Sequence, residues 1–208
     1  MTRNDILKAS KPFTMTSYPR MECFYDCIVE SVKSNIPGAI VECGVWKGGN
    51  AMIAGYLMKE LGADRDIFLY DTFTGMTEPG EHDIKYDGKK AVDVYHKNWH
   101  RVSDKTVTNN IMETQYDGFH IIVGDIMETI PEVMPESVSV IRLDTDWFES
   151  TLHELKHFWD IISPGGFLII DDFNCWKGSQ KACKDFFGDK LKYTDIDNQS
   201  VLIKKETT

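Results

Sequence analysis

The sequence lacks the features of an exported, membrane-spanning or nucleic-acid-binding protein. No apolar run is long enough to cross a membrane, and the residues after Met1 do not resemble a signal peptide. The five cysteines form no Cys-x-x-Cys pair, which is typical of reduced thiols. A formal net charge of -10 argues against nucleic acid or an anionic membrane as the main partner. We therefore expect a cytoplasmic protein that acts on a small molecule.

The remaining composition is that of a globular α/β protein. The 208 residues are 42% hydrophobic, which is enough for one sizeable core. Short runs of Val, Ile and Leu alternate with segments of helical periodicity, which predicts a Rossmann-like, doubly wound, mostly parallel sheet of seven strands with an antiparallel edge. Strands are predicted at 39–45, 67–70, 119–123, 138–143, 167–170, 191–196 and 201–204, and helices at 20–33, 51–61, 126–130, 150–162 and 176–187.

Two parts of this single predicted domain, 1–208, depart from the alternation. Residues 1–38 are interpreted as a polar arm followed by the first helix. Residues 74–118 form a long polar insertion, with predicted helical pieces near 92–102 and 108–115. Insertions of this size between core strands are usually functional, so we expect a lid or substrate wall. A plain crossover helix with loose flanks is the alternative.

Two apolar strands of the predicted sheet end in acidic residues. The first runs into Asp144-Thr145-Asp146 and the second into Asp171-Asp172. Because the carboxyl ends of parallel strands meet at one edge of the sheet, these carboxylates should crowd together and repel one another without a cation. Oxygen ligands of this kind suit Mg²⁺, Ca²⁺ or Mn²⁺. The sequence therefore predicts a divalent-metal site, although acids here could also simply cap the following helices.

A glycine-containing loop follows the first predicted strand and opens a helix. Its pattern, Glu42-x-Gly44-x-x-x-Gly48-Gly49, differs from the G-x-G-x-x-G of dinucleotide sites, and its acid suits a cationic ligand. Asp71 ends the second strand, where an acid commonly binds ribose hydroxyls. Asp125 follows the third strand, where it would accept from an adenine amine. Together these signals favour S-adenosylmethionine (SAM), a cationic cofactor without phosphate.

Four sequence blocks together resemble the macrocin O-methyltransferase family, which includes the mycinamicin and novobiocin sugar O-methyltransferases. They are Val41-Glu42-Cys43-Gly44-Val45-Trp46-Lys47-Gly48-Gly49, Asp71-Thr72-Phe73-Thr74-Gly75-Met76, Leu143-Asp144-Thr145-Asp146-Trp147-Phe148-Glu149-Ser150-Thr151 and Gly165-Gly166-Phe167-Leu168-Ile169-Ile170-Asp171-Asp172-Phe173. The resemblance implies a class I methyltransferase that depends on SAM and Mg²⁺. It also implies a sugar or nucleotide-linked sugar as acceptor and, by analogy, a homodimer.

The resemblance also implies roles for individual residues. Asp144, Asp171 and Asp172 would be the metal ligands, and Asp144 would also be the catalytic base. The SAM pocket would be lined by Glu42, Gly44, Val45, Trp46, Gly48, Asp71, Thr72, Phe73, Gly124, Asp125 and Ile126. A bound metal would lower the pKa of a sugar hydroxyl, and the insertion would exclude water.

Several other polar and aromatic residues admit more than one interpretation. Arg142 interrupts an apolar strand and is expected to pair with an acid. His96 or His100 could contact the acceptor or act as an auxiliary base. His153 and His157 could form a metal pair or be ordinary helix residues. Trp147 and Trp176 could stack on the substrate or simply pack in the core.

Other functions explain less of the sequence. Asp144-Thr145-Asp146 also resembles the D-x-D motif of metal-dependent glycosyltransferases that use nucleotide-sugars. That alternative leaves the loop from Glu42 to Gly49 and the acid at Asp71 unexplained. A nicotinamide-dependent oxidoreductase lacks support because the G-x-G-x-x-G spacing is missing. A non-catalytic domain is disfavoured because the costly acidic residues are intact.

Overall fold

The structure is a computed structural model that describes residues 1–207. Within this range seven strands form one sheet: β1 (Ala39–Cys43), β2 (Ile67–Asp71), β3 (Phe119–Val123), β4 (Val138–Leu143), β5 (Ile162–Ile170), β6 (Thr194–Asp195) and β7 (Val201–Lys204). Their order is β3-β2-β1-β4-β5-β7-β6. The first five strands run parallel, and β7 pairs antiparallel with both β5 and β6. The predicted fold class is confirmed.

Helices cover both faces of this sheet. They are α1 (Arg3–Ser10), α2 (Tyr18–Lys33), α3 (Gly49–Leu61), α4 (Asp104–Met112), α5 (Ile126–Thr129), α6 (Phe148–Phe158) and α7 (Lys177–Phe187). The first four contribute to the core on one face, and the last three to the core on the other. All residues of β1 and β4 are buried, as expected for apolar strands covered on both sides. None of the described helices is long and apolar enough to span a membrane.

The strand order places a topological switch point between β1 and β4. From β1 the chain winds outward through β2 and β3, and from β4 it winds the other way through β5. The loops after these two strands therefore diverge and leave a crevice at their carboxyl ends, where ligands bind in open α/β sheets. The glycine loop after β1 and the acidic motifs after β4 and β5 all reach this crevice.

The N-terminal arm and the helical part of the insertion were predicted wrongly. Residues 3–10 form a helix rather than a polar arm, because Ile6 and Leu7 are buried and Thr2 caps the helix in a capping box. The helix predicted at 92–102 is absent from the described structure, which has only a short turn at Ala91–Asp93 there. The helix predicted at 108–115 begins earlier, at Asp104, because Ser103 caps it.

The insertion is docked on the starts of two helices that follow the acidic motifs. Asp83 is 1% exposed and accepts hydrogen bonds from the backbone N–H groups of Gly80 at 2.7 Å and Phe148 at 2.8 Å. The backbone N–H of Lys177 donates to the carbonyl of Ile84 at 2.9 Å. Asp83 therefore holds the insertion against the first residue of α6 and beside α7.

A methyl group at Gly178 is expected to displace the insertion. A Cβ atom there would lie 2.0 Å from Oδ1 of Asp83, which cannot be accommodated without movement. Limited trypsin digestion should therefore cut Gly178→Ala faster than the wild type at the lysines of residues 81–100. Gly80→Ala is the matched control, since its Cβ would meet Asp83 at an ordinary 3.6 Å. Equal cleavage of both variants would show that Asp83 does not secure the insertion.

Candidate active site

A cavity of about 530 Å³ lies at the carboxyl ends of the central strands. This volume falls in the range of small-molecule and cofactor sites. Most of its lining comes from four parts of the chain: the strand-end loops (Gly44, Val45, Trp46, Asp71, Thr72, Gly124, Asp125, Ile126), the acidic motifs with the residues near them (Asp144, Thr145, Asp146, Asp171, Asp172, Cys175, Trp176), the N-terminal segment (Thr14, Met15, Thr16, Ser17, Arg20) and the insertion (Gly75, Met76, Thr77, Lys85, Trp99, His100).

The glycine loop crosses directly over the acidic turn. Gly44 has a φ of +83°, and a Cβ on it would lie 2.2 Å from the carbonyl oxygen of Asp144. Asp71 holds the rest of the loop, since its Oδ2 accepts from the N–H of Val45 at 2.7 Å and of Trp46 at 3.1 Å. A carboxylate has further lone pairs, so this role leaves Asp71 able to accept from a ribose hydroxyl.

Asp125 caps a helix and also has one oxygen available to the ligand predicted for it. Its Oδ1 accepts from the N–H of Met127 at 2.9 Å, which caps α5. Within residues 1–207 no hydrogen-bond donor reaches its Oδ2, and Asp125 lines the cavity beside Gly124 and Ile126. The free oxygen is available to a ligand amine.

Three of the predicted cofactor residues do not line the cavity: Glu42, Gly48 and Phe73. Glu42 is 1% exposed and lies on β1, where its Oε1 accepts from Asn50 at 3.2 Å and from Arg142 at 2.9 Å. Burial raises the pKa of Glu42 to about 7, although Arg142 opposes the shift. Gly48 has a φ of +87° and caps α3.

The acidic motifs bring three carboxylates together. Asp144, Asp171 and Asp172 each offer an oxygen, and these oxygens all lie within 4.8 Å of one another. Burial raises the pKa of Asp144 well above its usual range; Arg142 opposes this shift, and the neighbouring Asp171 and Asp172 add to it. For Asp146, burial and the facing Asp172 carboxylate have the same effect. This crowding of negative charge favours binding of a cation.

The donor set fits a hard divalent metal ion. All three groups are carboxylates, the ligand type that Mg²⁺ and Mn²⁺ prefer. Oδ1 of Asp171 lies 3.0 Å from a guanidinium nitrogen of Arg142, but that contact lacks hydrogen-bond geometry. Among residues 1–207 this buried oxygen therefore has no hydrogen-bond donor. A buried carboxylate oxygen without a donor is costly, and a bound cation would satisfy it.

Arg142 forms ion pairs with three acids at the cavity, which confirms the prediction that it pairs with an acid. Its guanidinium is 2% exposed and lies 2.9 Å from Glu42, 2.8 Å from Asp144 and 3.0 Å from Asp171. Burial alone would lower its pKa, but the three carboxylates raise the pKa of Arg142 above its usual value. It also donates to the hydroxyl of Thr16 at 3.0 Å, which links the N-terminal segment to the site.

Arg20 is a site residue that the sequence analysis missed. Its Nη1 lies 2.8 Å from Oδ2 of Asp171, and its Nε donates to Asp197 at 2.7 Å. Burial would raise the pKa of Asp197, but this hydrogen bond and those from Ser17, Gln199 and Ser200 lower the pKa of Asp197 to about 2. Arg20 belongs to an ordinary amphipathic helix, and no local pattern distinguishes it from a surface arginine.

Aromatic residues form the wall on the side of the insertion. Trp147 is 2% exposed and donates from Nε1 to the carbonyl of Thr77 at 2.9 Å, so it packs rather than stacks on a ligand. Trp176 reaches the cavity, and Nζ of Lys85 lies 5.1 Å from the centre of its ring. His100 also lines the cavity and has a φ of +60°.

The other histidines lie outside the cavity lining. His96 is exposed. His153 has Nε2 at 3.0 Å from the carbonyl oxygen of Ile130, and His157 is hydrogen-bonded to the carbonyl of His153. Within residues 1–207 the candidate metal cluster contains neither of them, so the structure does not support the alternative of a histidine metal pair on α6.

Comparisons with known proteins agree with this geometry. The model of the macrocin O-methyltransferase (TylF) family matches residues 4–205. Demethyldecarbamoylnovobiocin O-methyltransferase of Streptomyces niveus is 28% identical over 202 residues, which cover 93% of this chain and 73% of that enzyme. The 8-demethyl-8-(2,3-dimethoxy-alpha-L-rhamnosyl)-tetracenomycin-C 4'-O-methyltransferase of Streptomyces olivaceus is 30% identical over 175 residues, 83% of this chain and 65% of that enzyme. The solved structure of the O-methyltransferase NovP matches with a TM-score of 0.84 at 25% identity, covering 93% of this chain and 82% of that one.

Proposed function

This chain belongs to the macrocin O-methyltransferase family and is a SAM-dependent O-methyltransferase, and we propose that it methylates a hydroxyl of a sugar or of a sugar-bearing small molecule with the help of a divalent metal ion. The proposed metal ion is supported by the group of three carboxylates at the switch point of the sheet. The sugar is supported by the relative whose name specifies a rhamnosyl group.

We assign SAM to the half of the cavity between the loops after β1, β2 and β3. Gly44 lets the backbone approach the cofactor closely, and Asp71 and Asp125 offer oxygens to its ribose and its adenine amine. Glu42 does not line this half of the cavity; it accepts a hydrogen bond from Asn50 instead. The negative charge of the neighbouring acids also suits the sulfonium of SAM.

We assign the metal ion to Asp144, Asp171 and Asp172. When bound, such an ion would lower the pKa of a sugar hydroxyl and orient it toward the methyl group. Arg142 and Arg20 hold Asp171 from two sides, and this fixes one ligand before any ion arrives. Preorganised ligands of this kind bind with a smaller entropic cost.

We assign proton removal to Asp146 in preference to Asp144. Asp144 is paired with Arg142 and belongs to the metal cluster, so its oxygens are already engaged. Asp146 lines the cavity beside this cluster, and none of the ion pairs formed by residues 1–207 includes it. A carboxylate with a raised pKa next to the acceptor hydroxyl is suited to take the proton that the hydroxyl loses on methylation.

We place the acceptor between the acids and the insertion. Trp99 and Trp176 offer aromatic surface to a sugar ring, and Lys85 and His100 offer polar groups beside them. The insertion covers this side of the cavity, which would keep water from competing as methyl acceptor. Replacing a substrate-facing residue here should change the KM for the acceptor and leave SAM binding unchanged.

The proposed function is tested by SAM titration and a methyl-transfer assay. Calorimetry should give micromolar SAM affinity with Mg²⁺ or a chelator, because the SAM loops are separate from the acids. Methyl transfer to a panel of sugars and nucleotide-sugars should stop with chelator and return with Mg²⁺. Asp172→Asn should lower transfer by more than about 100-fold without weakening SAM binding, because losing a metal ligand should cost more than the roughly 10–100-fold typical of its outer partners.

Asp125→Asn is the matched control for this experiment. It changes an acid of the same cavity that lies on the SAM side, so it should weaken SAM binding and leave the response to Mg²⁺ intact. Methyl transfer that continues undiminished in chelator would contradict the proposed metal dependence. Methyl transfer only to acceptors without a sugar would contradict the proposed acceptor class.

A further inference from the structure

Glu154 is a buried acid that the proposed reaction does not use. It lies on α6 and is 0% exposed, and two residues that face it, Cys43 and Cys183, belong to the core on this side of the sheet. The titratable groups that face it are the thiols of Cys43 at the end of β1 and Cys183 on α7. None of the ion pairs formed by residues 1–207 includes Glu154. A carboxyl group in such a place is costly unless it has a specific contact to make.

Besides the Cys43 thiol, Glu154 contacts the hydroxyl of Thr145, which connects it to the active site. Oγ1 of Thr145 lies 3.0 Å from Oε1 and 3.1 Å from Oε2 of Glu154. Thr145 is the middle residue of the turn Asp144-Thr145-Asp146, which carries the proposed metal ligand and the proposed base. The same residue is also held by its backbone, because its carbonyl accepts from the N–H of Trp147 at 2.8 Å.

The turn needs such support because its backbone is unusual. Asp146 has a φ of +67°, in the left-handed region that residues with a side chain rarely adopt. Backbone of this kind persists only where the surrounding contacts determine it, and it concentrates at functional sites. Glu154 does not line the cavity, and it supplies a buried side-chain contact to this turn.

We propose that Glu154 is a positioning residue for methyl transfer, which holds the Thr145 hydroxyl so that Asp144 and Asp146 point into the cavity. The inference rests on the proposed roles of those two aspartates. Burial raises the pKa of Glu154 to about 8, so the carboxyl group is mainly protonated at neutral pH. A neutral glutamine of the same shape should therefore preserve the contact.

The test compares two disruptive substitutions with two conservative ones. Glu154→Met and Thr145→Val remove the contact from its two sides while keeping similar side-chain volume. Each should lower kcat by roughly 10–100-fold, in the range seen when outer partners of a metal site are lost. The KM for SAM should stay unchanged, and Glu154→Met should melt no lower than the wild type. Glu154→Gln and Thr145→Ser retain the contact and should stay within a few-fold of the wild-type kcat.

The double variant Glu154→Met with Thr145→Val identifies the contact itself. Because both substitutions remove one interaction, their effects on kcat should not multiply. Wild-type kcat in both disruptive variants would overturn the inference. So would an equal loss in Glu154→Gln and Glu154→Met, since the glutamine keeps the hydrogen bond.

The proposed function is tested separately by Asp144→Asn and Asp146→Asn. Inactive aspartate variants combined with fully active Glu154→Met would overturn the positioning role alone. Fully active aspartate variants would overturn the proposed roles of Asp144 and Asp146. They would also overturn the positioning role of Glu154, which depends on those roles.

Discussion

Replacing Arg142 with methionine is expected to lower the free energy of unfolding by roughly 3–5 kcal/mol, the usual result of removing one partner from a buried ion pair. The guanidinium lies against Glu42, Asp144 and Asp171, and two of these acids are themselves buried. Methionine fills much of the same volume but leaves the carboxylates without their shared cation. Part of this loss of stability should appear as proton uptake by the carboxylates, because a deeply buried acid without a partner becomes protonated.

Urea unfolding of the variant and of two controls measures this effect. Arg65→Met is the matched control, because Arg65 is half-buried and, among residues 1–207, its guanidinium donates only to Ser31, at 3.1 Å and 3.3 Å. This substitution should cost about 1 kcal/mol. Adding Glu42→Gln to Arg142→Met should restore part of the loss. A loss no larger than that of Arg65→Met would show that the three carboxylates do not depend on Arg142.

The same variant provides an independent test of the proposed metal ion. A divalent cation at Asp144, Asp171 and Asp172 would replace part of the charge that Arg142 supplies. Added Mg²⁺ should therefore raise the melting temperature of Arg142→Met more than that of the wild type. Equal shifts in the two proteins would mean that Mg²⁺ does not reach the carboxylates that Arg142 compensates.

The sheet and the position of the acids follow from local sequence signals. β3 and β4 have the predicted bounds, 119–123 and 138–143, because each is a short apolar run between turn signals. Apolar runs of this kind also show where β4 and β5 end. Because these strands are parallel, the acidic motifs that follow them meet at one edge of the sheet. The family resemblance is confirmed by a match over nearly the whole chain.

The partners of the site residues depend on contacts between distant parts of the chain. Glu42 has Arg142 as its register partner because β1 lies next to β4, a neighbour relation that no local pattern specifies. Arg20 reaches Asp171 across 151 residues of sequence. The wrong helix at 92–102 has a similar cause, since Trp99 packs with Trp147 instead of continuing a helical stripe.

Raising the pH from about 5 to about 9 is expected to destabilise the wild-type protein more than Glu154→Gln. Glu154 has a pKa of about 8 in the folded protein, against an ordinary value of 4.5. Between these values the folded state keeps a proton that the unfolded state has released, so unfolding becomes more favourable as the pH rises. Each pH unit in this window removes at most about 1.4 kcal/mol, which amounts to a few kcal/mol in total.

The comparison with Glu154→Gln separates this effect from other titrations. Glu42, whose pKa is raised to about 7, shifts stability in the same direction, but it is present in both proteins and cancels in the difference. The facing thiols of Cys43 and Cys183 stay protonated, because burial raises the pKa of each, for Cys183 to about 12. The difference in free energy of unfolding between variant and wild type, measured in urea, should therefore be small at pH 5 and favour the variant increasingly toward pH 8. A difference that stays constant with pH would mean that Glu154 is already ionised in the folded protein, and a charged carboxylate rather than a neutral acid would then hold Thr145.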